Sequence, residues 1–268
     1  MIIKLFLRHW FVLLLVAGLF FAHDVTAHSI EKSQTSLRPK ISIVVDDLGD
    51  NSIIAKKMLS LPGKLTAAIL PNTPHAKSIS HFANSQGHDI IMHLPMEAFT
   101  RPDLLGPGAL FANMDKSTFS STFNLDAASI PHIIGFNNHM GSLLTENKEK
   151  MRWLMDQAKS NHLFFLDSKT SEDSIAEYIA LKKGVPTISR DVFLDHNKQE
   201  DALLRQFNLS KTIAKRKGRV VIICHPYPET LAFLQSHLDS LNEEFELVGL
   251  SELLSTPKLE VIQPFVAR

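Results

Sequence analysis

The chain has little of several things that would point directly to a function. Its 268 residues include one cysteine, Cys224, so no intrachain disulfide can form and no cysteine-based zinc site can be built. The 28 Lys and Arg balance the 28 Asp and Glu, which removes any general attraction to phosphate backbones or anionic membranes and argues against a nucleic-acid partner. With two Trp and two Tyr, a broad aromatic platform for stacking sugars is thin, although 17 Phe can contribute. A long polysaccharide groove is therefore disfavoured, and a small or unusual substrate stays open. Charged residues at 21% and hydrophobic ones at 44% exclude a disordered or collagen-like chain. The length suits one large α/β domain or two small ones.

The first residues read as an address. Lys4 and Arg8 precede an apolar stretch from Trp10 to Ala22, and Val25-Thr26-Ala27 has the residues a signal peptidase accepts. The stretch, about 13 residues, falls short of the roughly 20 that span a bilayer. An uncleaved anchor is the rival, since Ile2, Ile3, Leu5, Phe6 and Leu7 lengthen the run if Lys4 snorkels. Either way the mature part is expected outside the cytoplasmic membrane, periplasmic or secreted, where a single thiol is in keeping. The expected organisation is a signal peptide at 1–27, a flexible leader at 28–40, one folded domain at 41–255 and a C-terminal tail at 256–268.

From residue 41 onward, strands and helices alternate. Strands are predicted at 41–45, 65–70, 89–92, 133–136, 163–166, 186–189, 219–224 and 246–248, and helices at 52–61, 75–86, 115–128, 148–161, 174–183, 199–217, 228–241 and 251–254. Such alternation argues for parallel strands with helices outside, curled into a barrel or laid out as an open doubly wound sheet. One pattern favours the barrel. Asp46, Asp47, His93, Asn137, Asn138, His139, Asp167, Arg190, Asp191 and His225 all follow the end of a predicted strand, and in a parallel barrel those ends share the face where active sites form.

Adjacent aspartates after a buried strand must be hydrated, paired or bound to a cation, because an isolated buried carboxylate is costly. Asp47, His93 and His139 offer one carboxylate and two imidazoles from three strand ends, 46 residues apart in each step, so they meet only through the fold. That set suits Zn²⁺ in a catalytic site with an open position, and equally Fe²⁺, Co²⁺ or Ni²⁺. Plainer readings exist: an Asp-Asp pair also caps turns, and a strand-end histidine is often only a hydrogen-bonded strut. His75, His81, His88, His132, His162, His196 and His237 end no predicted strand and are read as structural or solvent-facing. Cys224 lies in an apolar strand and is expected to be buried and inert.

Six ordered motifs resemble the divergent polysaccharide deacetylase family: Val44-Val-Asp-Asp-Leu-Gly49, His93-Leu-Pro-Met-Glu97, Asn137-Asn-His-Met-Gly-Ser142, Phe165-Leu-Asp-Ser-Lys-Thr170, Arg190-Asp-Val-Phe-Leu-Asp195 and His225-Pro-Tyr-Pro-Glu-Thr230. The resemblance implies a distorted (β/α)-barrel of about seven parallel strands with outer helices, related to metal-dependent esterases that deacetylate envelope carbohydrates. Carried over, Asp46 is the general base, Asp47 a metal ligand and His225 the general acid. The wider superfamily adds a His-x-x-x-His pair after its third strand. Here Glu97 stands in the second place, so His139 is the candidate for the other imidazole. Arg190 and Asp191 are expected to form a charge pair orienting the catalytic aspartate.

The mechanism implied is hydrolysis of an acetyl group by an activated water. His225 is kept protonated by a carboxylate such as Asp167 or Asp191, and Asn137 and Asn138 fix the substrate or the ligand shell. The stretch 94–113, with three prolines and two glycines, is long enough to be a lid or sugar platform. Two other readings stand beside this one. The first is a non-catalytic glycan or peptidoglycan binder on the same barrel, suggested by the missing His-x-x-x-His pair. The second is a different metal hydrolase acting on an amide or phosphoester.

Overall fold

The computed structural model describes residues 38–255, residue 242 excepted. The expected signal peptide, most of the leader and the tail lie outside the described residues.

Among the described residues nine strands form one sheet: β1 (Lys40–Leu48), β2 (Thr66–Ile69), β3 (Asp89–Met96), β4 (Gly135–Met140), β5 (Phe164–Asp167), β6 (Thr187–Ser189), β7 (Val192–Phe193), β8 (Arg219–Cys224) and β9 (Glu246–Leu247). Their order is β6-β5-β4-β3-β2-β1-β8-β7, with β9 on β1, and every pairing is parallel. The strands at the two ends of that path, β6 and β7, are separated in sequence only by Arg190 and Asp191. A two-residue link cannot cross an open eight-strand sheet, so the sheet must curl until its edges meet. The expected distorted barrel of about seven parallel strands is what forms, with β6 and β7 as two halves of one broken stave.

The helices are α1 (Ser52–Leu59), α2 (Ala76–Ser85), α3 (Lys116–Ser129), α4 (Lys148–Ser160), α5 (Ala176–Lys183), α6 (Glu200–Lys217), α7 (Pro228–Leu241) and α8 (Leu250–Ser255). Their starts follow local chemistry. Asn51 accepts from the N–H groups of Ile53 and Ile54, Asp115 from Thr118, and Asn147 from Glu149 and Lys150. Gly184 and Gly218, both left-handed, end α5 and α6. Among the described residues no helix is long and apolar enough to cross a membrane.

Alternation along the strands divides the core in two. Ile41, Ile43, Val45, Met92, Phe136, Phe165, Val220 and Ile222 belong to the larger outer core, which the helices share. Val44, Ala68, Ile91, Leu166, Val221 and Ile223 form a second, inner cluster with Val248, Leu250 and Leu253. The last of these close the barrel from the side where strands begin: Leu250 N–H donates to Thr66 Oγ1 and Ser251 N–H to Asp89 Oδ2. The other end, where strands finish, is left for polar residues.

Four strands run past their predicted ends, β5 by the single residue Asp167. β1 continues through Asp46 and Asp47 to Leu48, β3 through His93 to Met96, and β4 includes Asn137, Asn138 and His139. Polar residues that resembled strand stops are strand residues, of which Asp46, His93, Asn137 and His139 have the inward parity, and pairing with neighbouring strands overrides their low strand propensity.

Candidate metal centre and active site

The period of two that buries Val44, Ile91 and Ile223 inside the barrel also aims Asp46, His93 and His225 inward, two residues further along each strand direction. Asp47 has the wrong parity for this. It reaches the same space because the β1–β2 register breaks between Val45 and Leu48, and Asp47 itself takes a left-handed backbone, φ 55°. A bulge of this kind re-aims a side chain at some local strain. Met140 (φ 54°) and Gly141 (φ 89°) turn the chain sharply just after His139.

Asp47 Oδ1, His93 Nε2 and His139 Nδ1 form a nearly equilateral triangle. The edges are 3.2 Å from Asp47 to His93, 3.1 Å from Asp47 to His139, and 3.1 Å between the two rings. Asp47 Oδ1 is buried and has no hydrogen-bond partner. The ring tautomers follow from the outer partners. Asn137 must turn its Nδ2 toward the Asp46 carboxylate (2.9 Å), so its Oδ1 faces His93 Nδ1 (2.8 Å), which therefore carries hydrogen. His139 Nε2 faces the Leu104 carbonyl at 3.1 Å and is likewise the protonated nitrogen. In the neutral rings, two lone pairs and a carboxylate oxygen thus point at one another, an arrangement that repels unless a cation sits among them.

A divalent ion bound by such donors at about 2.0–2.2 Å holds them roughly 3–3.5 Å apart, which matches the observed edges. The three residues fit a metal ion. Without one, a proton is the available cation. Burial pulls the His93 imidazole down, but Asp46 and Asp47 outweigh it and hold it up at about 9. Burial likewise pushes the Asp47 carboxyl up, and His139 and His93 outweigh it, keeping it well below the usual carboxylate range.

Asp46 lies beside this set, 3% exposed, with Oδ2 3.7 Å from His93 Nε2. Burial raises its carboxyl above the ordinary value despite the neighbouring imidazoles. His225 follows the adjacent strand β8, its Nε2 3.8 Å from Asp47 Oδ2. Its ring lies between Phe193, at 5.1 Å, and Tyr227, stacked at 5.5 Å. Burial lowers the His225 imidazole and Asp195 more than offsets this, so it is raised overall. Asp195 accepts from His225 Nδ1 at 2.9 Å, from the His225 backbone N–H at 2.7 Å and from Thr230 Oγ1 at 2.8 Å.

Several residues expected at the site are placed differently. Neither Asp167 nor Asp191 supports His225. Asp167 is fully buried and accepts from Lys169 N–H and Ser174 Oγ, with Lys169 Nζ at 3.1 Å. Asp191 takes Lys217 Nζ at 2.7 Å and Val221 N–H at 3.0 Å, four residues upstream of His225 on the β8 segment. The expected Arg190–Asp191 charge pair is absent from the ion pairs of the described residues. Arg190 instead clamps the turn after β5, donating Nε to Ser168 O at 2.7 Å and Nη2 to Lys169 O at 2.9 Å.

Asn137 and Asn138 are 0% and 1% exposed, and the hydrogen bonds of both go to neighbouring protein groups. Asn138 accepts from Ser168 N–H and donates to Met140 O and Thr170 Oγ1. Among the histidines set aside, His88 does not face solvent. It is buried, accepting from Leu65 N–H and donating to Leu59 O, a strut between α1, β2 and β3. Cys224 is fully buried, and burial pushes its thiol well up.

Asp195 and Leu104 were not singled out from the sequence. Asp195 ends the Arg190–Asp195 motif, two residues beyond β7, and reading Val192–Phe193 as a strand would have put it in the strand-end series with His225. The Leu104 contribution is a backbone carbonyl and has no signature in residue type.

The fold is thus a parallel curled barrel that carries two imidazoles, two carboxylates and a carboxylate-supported histidine at its strand ends. Residues 43–254 match the family model described as divergent polysaccharide deacetylase, and the chain belongs to that family. It is 34% identical over 227 residues to an uncharacterized protein of Haemophilus influenzae, covering 85% of this chain and 81% of that protein. It is 33% identical over 232 residues to the uncharacterized protein YibQ of Escherichia coli, covering 87% and 72%. Among solved structures, the uncharacterized protein ATU2773 from Agrobacterium tumefaciens superposes with a TM-score of 0.77 at 24% identity, over 81% of this chain and 89% of that one, and so shares the fold.

Proposed function

We propose that the chain is a metal-dependent hydrolase of the cell envelope that removes acetyl groups from an N- or O-acetylated carbohydrate. The observation that carries the reading is the triangle of Asp47 Oδ1, His93 Nε2 and His139 Nδ1, with the carboxylate of Asp46 close to His93 and the imidazole of His225 close to Asp47. Asp47, His93 and His139 would hold Zn²⁺, or Fe²⁺, Co²⁺ or Ni²⁺, which supplies Lewis acidity toward a carbonyl oxygen and acidifies water. Asp46, poised by burial to take a proton, accepts it from the attacking water at its carboxylate. His225, kept protonated by Asp195, donates from Nε2 to the departing nitrogen or oxygen as the acyl bond breaks. Asn137 ties the two halves together, fixing the His93 ring with its oxygen and the Asp46 carboxylate with its nitrogen. Read as an export signal, residues 1–27 take this site to the envelope, where the acetylated glycans are.

The test is acetate release from a panel of acetylated amino sugars and glycan fragments by zinc- or cobalt-loaded protein, run beside Asp46→Asn and His225→Ala. Release by the wild type, reduced by about 10²-fold or more in each variant, is expected. Equal release by all three proteins excludes the assignment. Glycan retention without turnover, unchanged by chelator and by Asp46→Asn, turns the reading to a binding protein.

A further inference from the structure

The arc between β3 and α3 is pinned at its base. Leu110 N–H donates to Pro95 O and Glu97 N–H to Leu110 O, both at 2.9 Å, and Glu97 Oε2 accepts from Ala112 N–H at 2.7 Å. Beyond that base the arc is outward-lying: Phe99 is 64% and Leu104 51% exposed. Between it and the 70–74 segment lies a cleft of about 250 Å³ instead of packed core. Few contacts seat the arc. Leu105 is buried, Phe99 N–H donates to Ser142 Oγ at 3.2 Å, and Gly108 (φ 80°) lies against the buried Asp126 carboxylate, with which a Cβ at that position would collide. A further contact reaches the metal triangle itself: the short 3₁₀ turn Pro102–Leu104 presents the Leu104 carbonyl to His139 Nε2.

We propose that this arc is a positioning element for His139, so that seating the arc and binding the ion are one coupled equilibrium; the inference rests on the metal-centre reading above. The Leu104 carbonyl can accept only if His139 carries its hydrogen on Nε2, and that tautomer is the one whose Nδ1 lone pair points at Asp47 and His93. With the arc lifted, the ring loses the partner that selects its tautomer and its rotation. Loss of such a partner to a metal-ligating histidine lowers metal affinity by about 10–100-fold. Coupling of binding free energies is reciprocal, so the ion must seat the arc by the same factor. Replacing the paired-histidine arrangement of the wider superfamily with His139 thereby makes the ligand set depend on a segment contributed by a different strand connection.

Two measurements on the full chain test this. Zinc affinity is determined by competition with a chromogenic chelator for the wild type, for Gly108→Ala, and for a variant with residues 101–107 replaced by a short Gly-Ser linker. Amide hydrogen exchange across 98–109 is followed in the wild type with and without zinc. Zinc is expected to slow exchange in the arc by about 10–100-fold, and both variants to bind zinc about 10–100-fold more weakly. Wild-type protein that binds zinc with no change in arc exchange overturns the coupling and leaves the metal centre standing, whatever the variants do. Variants that bind within twofold of the wild type overturn it in the same way. Wild-type protein that binds no zinc, cobalt, nickel or iron removes the metal centre and this inference together.

Discussion

His225 and Asp195, 30 residues apart in sequence, are joined twice: the backbone N–H of His225 donates to Asp195 Oδ2 at 2.7 Å and its Nδ1 to Oδ1 at 2.9 Å. The carboxylate therefore sets both where the β8 strand end lies and which ring nitrogen of His225 carries hydrogen toward it. Nε2 is left facing Asp47 and the metal triangle.

Replacing that carboxylate tests the acid assignment. Asp195 holds the His225 imidazole above its usual range, so Asp195→Asn lets it fall, and the protonated acid is then lost at a lower pH. Acetate release is expected to drop by about 10²–10⁴-fold at neutral pH, with the alkaline limb of the kcat/KM profile displaced toward acid. A variant with that limb unmoved and rate unchanged shows that His225 does not donate the proton.

Asn137 links His93 to Asp46 without touching solvent. Asn137→Ala removes the acceptor for His93 Nδ1 and the donor for Asp46 Oδ1 in one change. Zinc affinity is expected to fall by about 10–100-fold, and the buried partners left unsatisfied to cost about 1–3 kcal/mol of stability each. Chelator competition and urea unfolding measure the two effects separately. Unchanged affinity together with normal stability contradicts the role given to this amide.

Asp126 offers a pH dependence away from the proposed metal centre. Burial lifts its carboxyl to about 7, only partly offset by the hydrogen bond from Asn72 Nδ2, and its Oδ2 has no partner. The unfolded chain, with an ordinary value near 3.9, releases this proton first. Between roughly pH 4 and 7 the folded state binds the extra proton, so stability falls as pH rises through that window. Asp126→Asn keeps an acceptor for Asn72 and removes the titration. Its thermal midpoint is expected to exceed the wild-type value at pH 8 and to approach it at pH 5. An equal change at both pH values argues against a titrating carboxyl here.

Much of the site was legible because a barrel strand has a period of two and one sense of direction. Asp46, His93 and His225 extend the inward series begun by Val44, Ile91 and Ile223, and a strand-end census finds them without any structure. Asp47 breaks the alternation. What brings it in is a register slip and a left-handed residue, which show only once β1 is paired with β2. The roles expected of Asp167, Asp191 and Arg190 misplaced real charges, because sequence order does not say which neighbour a strand-end side chain finds. Asp167 found Lys169 in its own turn, and Asp191 found Lys217 at the end of α6. Asp195 was hidden by a strand of two residues, too short for any periodicity.

The metal centre itself is tested most directly by elemental analysis of purified full-length protein, repeated on Asp47→Ala, His93→Ala and His139→Ala. One divalent ion per chain is expected in the wild type after incubation with zinc and desalting, and a substoichiometric amount in every single variant. Full occupancy in any of the three, or a wild-type chain that retains no ion at all, contradicts the site.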